Sequence, residues 1–153
     1  GKLSENEFFE ELKNTYELNA TPQELIKAWN ALLLDIPPKR IELIISLSKR
    51  YSTFILSNTN PTHLYEVENI LEKQTKISSL KKVVQKPYYS FEMGKAKPET
   101  AIYEQVIQEN SLNPQYTLFI DDSQANIEGA KKLGLQTLHI TPKQNSILDF
   151  LQD

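Results

Sequence analysis

Apolar residues recur at helical spacing from the first residues onward. Phe8, Leu12 and Tyr16, with Phe9 widening the stripe, follow Ser4-Glu5-Asn6-Glu7, a spacing of Ser and Glu that fits a capping box. The pattern predicts a helix ending near Leu18-Asn19. Thr21-Pro22-Gln23-Glu24 repeats the device with proline at the first helical position, and Leu25, Ile26, Trp29, Leu32 and Leu33 share one face. Two amphipathic helices packed as a hairpin are expected, with Trp29 in their core.

Asp35-Ile36-Pro37-Pro38 is the clearest boundary, because paired prolines stop one helix and preset the next. The pattern then changes. Lys39 to Arg50 reads as a helix with Ile41, Ile44, Ile45 and Leu47 inward, and Ser52 to Leu56 as a short buried strand ending in Ser57-Asn58-Thr59-Asn60. Pro61 starts a helix through about Lys73, carrying Leu64, Val67 and Leu71. A brief strand is expected at Lys81 to Gln85, around Val83-Val84, and a loop over Lys86 to Lys97. Lys97-Pro98-Glu99-Thr100 opens a helix with Ile102, Val106 and Ile107 inside. The strand Thr117 to Ile120 runs into Asp121 and Asp122, and Ser123 can cap the helix that begins near Gln124. Gly134 can end that helix in the left-handed conformation. Leu135 to Ile140 is a last strand and Ser146 to Leu151 a closing helix. After residue 36 this order predicts an α/β fold, a parallel sheet with helices on its faces and right-handed crossovers.

Composition narrows the function classes. The 153 residues suit one ordinary domain, or a core with a small appendage. A hydrophobic fraction of 39% and a net charge of -3 describe a globular protein with no pull towards nucleic acid or an anionic membrane. No apolar run approaches the roughly 18 residues that would span a bilayer. There is no cysteine, so thiol nucleophiles and zinc-thiolate sites are excluded, and a reducing, cytoplasmic setting is expected. The glycines form neither a dinucleotide-binding fingerprint nor a P-loop.

The chemistry gathers at polar strand ends. In an open α/β sheet the carboxyl ends of the strands form the ligand crevice, which puts Asp121 and Asp122 where a ligand binds. Two adjacent carboxylates repel unless a cation compensates them, and a hard divalent ion such as Mg2+ is the usual remedy. Ser57 with Asn58, and Lys97, fall on the same edge. A hydroxyl with backbone N–H groups, an ammonium and a cation-holding acidic pair together suit a transferring phosphoryl group.

The segments F-I-L-S-N-T-N, K-A-K-P-E-T-A-I-Y and F-I-D-D-S-Q-A-N-I-E-G-A-K-K-L-G-L-Q-T resemble the second, third and fourth motifs of the haloacid dehalogenase-like (HAD) hydrolases, in the subgroup with an early helical cap. The resemblance covers Pro37 to Ile140 and, more loosely, the preceding helices. It implies a HAD-like, Rossmannoid core over residues 36–153 and a partial helical cap over residues 1–35. By the same resemblance, Ser57 and the Asn58 backbone bind the phosphoryl oxygens, and Lys97 bridges phosphate and nucleophile. Asp122 would be the direct Mg2+ ligand, with Asp121 supporting it. Lys95 is a rival for the lysine role, but the Lys-Pro pair favours Lys97. The implied activity is a phosphatase acting on a small phosphorylated metabolite through an aspartyl-phosphate intermediate. The family's first motif, D-x-D at the end of an apolar strand, has no counterpart here. The nucleophile is therefore expected outside this segment, which alone would be inactive, with its own N-terminal fragment as a partner. A non-catalytic relative that binds phosphate or a protein is the alternative.

Overall fold

The computed structural model describes residues 3–141 and residue 148. Helices α1 (Glu5–Thr15) and α2 (Pro22–Asn30) begin at the two expected capping boxes. Ser4 and Thr21 each donate a backbone N–H to the glutamate three residues on, at 2.8 Å in both cases. These reciprocal bonds satisfy amides that a helix start otherwise leaves orphaned. Phe8, Phe9 and Trp29 meet edge-on between the two helices, as the hairpin requires. Tyr16 and Leu32, expected on the inner faces, are 67% and 62% exposed, because α1 and α2 stop at Thr15 and Asn30, short of both residues.

Helix α3 (Pro38–Ser48) leads to β1 (Phe54–Ser57), and α4 (Pro61–Thr75) follows with the Asn60 side chain accepting from His63 N at 2.9 Å. The first turn of α4 also docks the helical pair. Thr62 donates its hydroxyl to Glu5, and His63 Nε2 donates to the Trp29 carbonyl at 3.1 Å while the two rings stack. Strand β2 is Lys86–Tyr89, not the expected Lys81 to Gln85. Leu80–Lys82 is a 3-10 turn, and Val83 and Val84 are apolar because they fill the core beside Ile41 and Leu71. The stretch expected as a loop over Lys86 to Lys97 thus begins with a strand; among the described residues β2 pairs with β1 alone, and Pro87 is tolerated on such an edge strand. The short α5 (Ser90–Met93) ends at Gly94, whose φ of 62° is left-handed.

Helix α6 (Thr100–Glu109), β3 (Leu118–Asp121), α7 (Gln124–Lys131) and β4 (Gln136–His139) complete the described elements. Gly134 lies past α7 with φ 78°, as expected. The closing helix expected at Ser146 to Leu151 lies outside the described residues, apart from Leu148.

Both strand pairings are parallel, β1 with β2 from Phe54↔Lys86 to Ser57↔Tyr89 and β3 with β4 from Leu118↔Gln136 to Asp121↔His139. The sheet is nevertheless in two halves, since among the described residues no ladder joins β1 to β3. Every residue of β1 is only half-buried, and Leu118 of β3 is 50% exposed. The halves share a core: Leu56 of β1 and Phe119 of β3 both pack on Ile102, Tyr103, Ala130 and Leu135. A second cluster holds Ile41, Leu71, Val83 and Val84.

Leu71, on α4, is wholly buried in that second cluster. Leu71→Ala is expected to lower the unfolding free energy by about 2–5 kcal/mol, read from urea denaturation, whereas Leu34→Ala, at a 79% exposed position, should leave the midpoint in place.

Candidate active site

Three of the predicted site residues come together through their own bonds. Asn58, just after β1, grips the Lys97 backbone with both ends of its amide: Nδ2 donates to Lys97 O at 2.8 Å and Oδ1 accepts from Lys97 N at 2.9 Å. Lys97 Nζ then donates to Asp121 Oδ2 at 2.8 Å, with the two side chains 9% and 7% exposed. The other oxygen of Asp121 accepts from Ser123 N at 2.8 Å and from Asn126 Nδ2 at 2.9 Å. Burial pushes the Asp121 carboxyl upward, and the bonds from Lys97, Ser123 and Asn126 outweigh it, holding the group below the ordinary aspartate range. Asp121 is therefore an anion with both oxygens engaged.

Asp122 is its opposite. The side chain is exposed and, among the described residues, makes no hydrogen bond or ion pair. Ser57, the last residue of β1, is half-buried, and its hydroxyl likewise has no hydrogen bond within the described residues. Lys95, the rival lysine, points elsewhere: its Nζ donates to Gln105 Oε1 at 2.8 Å. Ser123 does begin α7, but its hydroxyl makes no capping bond; its backbone N–H serves Asp121 instead.

The loop carrying Lys97 is seated on α7. A Cβ at Gly129 would lie 2.5 Å from Pro98 O and 3.1 Å from the Tyr103 ring, so only glycine lets the helix approach this closely. The Tyr103 hydroxyl donates to Asn126 O at 2.9 Å, and burial together with the Asp121 charge pushes its pKa up to about 12, so it remains a donor. The bidentate grip of Asn58 and the seat at Gly129 were not read from the sequence. The signal for the first was only an amide in a polar strand end, and for the second a glycine inside a helix.

Among the described residues no three His, Asp or Glu side chains converge as a metal cluster. The donor set present is one free carboxylate, Asp122, beside one engaged carboxylate, Asp121. That fits part of a Mg2+ shell, because Mg2+ is commonly held by one or two carboxylates with waters and substrate phosphate completing its coordination.

Residues 2–140 match the family model of the haloacid dehalogenase-like hydrolases. The chain belongs to that family. It is 31% identical over 137 residues to a D-ribitol-5-phosphate phosphatase of Bacteroides thetaiotaomicron, a match covering 90% of this chain and 66% of the relative. A crystal structure of a HAD family enzyme from B. thetaiotaomicron in a magnesium complex superposes with a TM-score of 0.90 at 29% identity, over 99% of this chain and 76% of that one. The wild-type form of the same enzyme, with magnesium and inorganic phosphate, gives 0.85 at 30% identity, over 100% of this chain and 76% of that one. The α/β HAD-like fold follows. No helix among the described residues is long and apolar enough to cross a membrane.

Two outcomes test this geometry. Gly129→Ala should force α7 away from the Lys97 loop and destabilise by about 1–3 kcal/mol, measured by thermal or urea unfolding. The depressed pKa of Asp121 stabilises the fold above the unfolded-state value, 3.8, and this contribution is lost as pH falls through the folded-state value below it. Asp121→Asn should lose about 3–5 kcal/mol near neutrality by stranding the buried Lys97 charge, and that gap should shrink on acidification.

Proposed function

We propose that this chain is the greater part of a Mg2+-dependent phosphatase that hydrolyses a small phosphorylated metabolite in the cytoplasm. The observation that carries the reading is the contrast at the end of β3, where Asp121 is committed to Lys97 and Asp122 stays free beside it. A buried, charged lysine beside an uncommitted acid suits an anionic group accompanied by a hard cation. The likeness to a D-ribitol-5-phosphate phosphatase and to an enzyme crystallised with magnesium and inorganic phosphate supports the same class of reaction.

In this reading the Ser57 hydroxyl and the Asn58 backbone N–H donate to phosphoryl oxygens, and the Lys97 ammonium neutralises the charge that gathers on them. Asp122, with Asp121 behind it, would hold Mg2+, whose charge opposes that of the phosphoryl oxygens when bound. The nucleophile is an aspartate on a strand outside these residues, lying between β1 and β3. Two strands that share a core without a ladder, each with one edge that no strand of the described residues pairs, support this placement. Buried backbone groups without partners cost roughly 1–3 kcal/mol apiece, which favours a third strand between them. The partner the edges fit is the protein's own N-terminal segment, continuous or nicked and still bound. The carboxylate oxygen of that aspartate bonds to phosphorus as the ester P–O bond breaks, and the departing alkoxide takes a proton from solvent to leave as the alcohol. Water then splits the aspartyl phosphate into the free carboxylate and inorganic phosphate. Without the strand the segment does not turn over. Residues 1–35 act as part of a helical cap on the core formed by residues 36–153.

The test is phosphate release from phosphorylated polyols and sugars by the full-length protein, with and without Mg2+, alongside calorimetric Mg2+ titration. Asp122→Asn, which breaks no side-chain bond among the described residues, should leave the melting temperature unchanged while weakening Mg2+ binding by about 10-fold or more and abolishing turnover. Equal Mg2+ affinity in the variant and the parent would remove Asp122 from the metal role.

A further inference from the structure

Among the described residues nothing hydrogen-bonds the carboxylate of Asp122, so its direction depends on the peptide that carries it. That peptide is held on every side. Asp121 O accepts from Ile140 N at 3.0 Å, Ser123 N donates to Asp121 Oδ1 at 2.8 Å, and Ser123 O accepts from Ile127 N at 3.0 Å. All these ties use main-chain groups or Asp121 itself. The carbonyl of Asp122 is held differently, by the half-buried imidazole of His139, whose Nε2 lies 3.0 Å away. A carbonyl oxygen only accepts, so the imidazole must carry its proton on Nε2. His139 is the last residue of β4 and the register partner of Asp121, so the strand pairing itself brings the ring to the start of the turn.

We propose that His139 is a positioning residue for the cation site: its bond to the Asp122 carbonyl and the bond of Ser123 N to Asp121 hold the two edges of one peptide plane, and together they fix the direction of the Asp122 carboxylate. The assignment rests on reading Asp122 as the acid that holds Mg2+. It adds a determinant on β4, a strand to which none of the predicted site residues belongs. A bond that served only to tie β4 to the turn would contribute to stability and leave ion affinity alone, and the two roles separate in three variants. His139→Phe keeps the ring and removes the donor. His139→Asn offers an amide nitrogen at the reach of Nδ1, too short for the carbonyl. His139→Gln offers one at the reach of Nε2.

Calorimetric Mg2+ titration of the full-length protein and these variants, with urea unfolding in parallel, decides the matter. The Phe and Asn variants should bind Mg2+ about 10-fold more weakly than the parent, the Gln variant should recover most of that loss, and the unfolding midpoints should not follow the same order. The 15N spectrum of the parent, recorded above the range in which imidazole titrates, should show the Nε2–H tautomer at His139. Parent-like affinity in His139→Phe, no rescue by Gln, or an Nδ1–H tautomer overturns the assignment while leaving Asp122 as a ligand. A parent protein that takes up no Mg2+ overturns the assignment and the metal reading together.

Discussion

The buried ion pair between Lys97 and Asp121 is the interaction on which the rest of the structure depends. Two charges at this depth persist because each is compensated: three donors, the Lys97 ammonium among them, converge on Asp121, and the Lys97 backbone is gripped by Asn58. Each partner is supplied by a different part of the chain. Asp121 comes from the β3–β4 half of the sheet, while the Asn58 that fixes Lys97 comes from the β1–β2 half. The path Asn58 to Lys97 to Asp121 is thus a polar bridge between halves that share no ladder, laid over the apolar contact of Leu56 and Phe119 with a common core.

Placement of the pair also explains the division of labour between adjacent acids. The bonds from Lys97, Ser123 and Asn126 overcome desolvation and make Asp121 a structural anion, and the peptide after it steps out into solvent with Asp122. A strand that ends in two like charges would be self-repelling if both faced the same way. Here one turns inward to an ammonium and the other outward.

Much of this was legible in the sequence where local chemistry dictates local structure. The capping boxes at Ser4 and Thr21, the helix opened by Pro61, the left-handed Gly134 and the strand running into Asp121 all follow from a few neighbouring residues. The meeting of Asn58, Lys97 and Asp121 was legible as far as their shared edge of the sheet, since each follows a strand, closes one or opens a turn. What escaped were features set by distant partners. Val83 and Val84 looked like a strand because burial, not extension, selects apolar residues there, and the real strand carries Pro87, whose lost donor matters only inside a sheet. Nothing near Asn58 announces a grip on residue 97, and nothing near Gly129 announces Pro98. Ser123 is the converse case, a residue whose local preference for capping yielded to the demand of Asp121 for its amide.

The docking of the helical pair on α4 has a mechanical consequence. Glu5 and Trp29 are fastened to Thr62 and His63, which lie one turn beyond the loop that carries Ser57 and Asn58. These fastenings on the first turn of α4 adjoin the loop of residues 58–60, and Ile36 N adds a tie to Gln74 Oε1 at the other end of that helix. With α1 about 16 Å long from its fastened end, a tilt of a few degrees at that turn sweeps the far end through about an ångström. The helical pair is thus fastened next to Ser57 and Asn58, and a rigid tilt about that fastening would displace its far end more than its root.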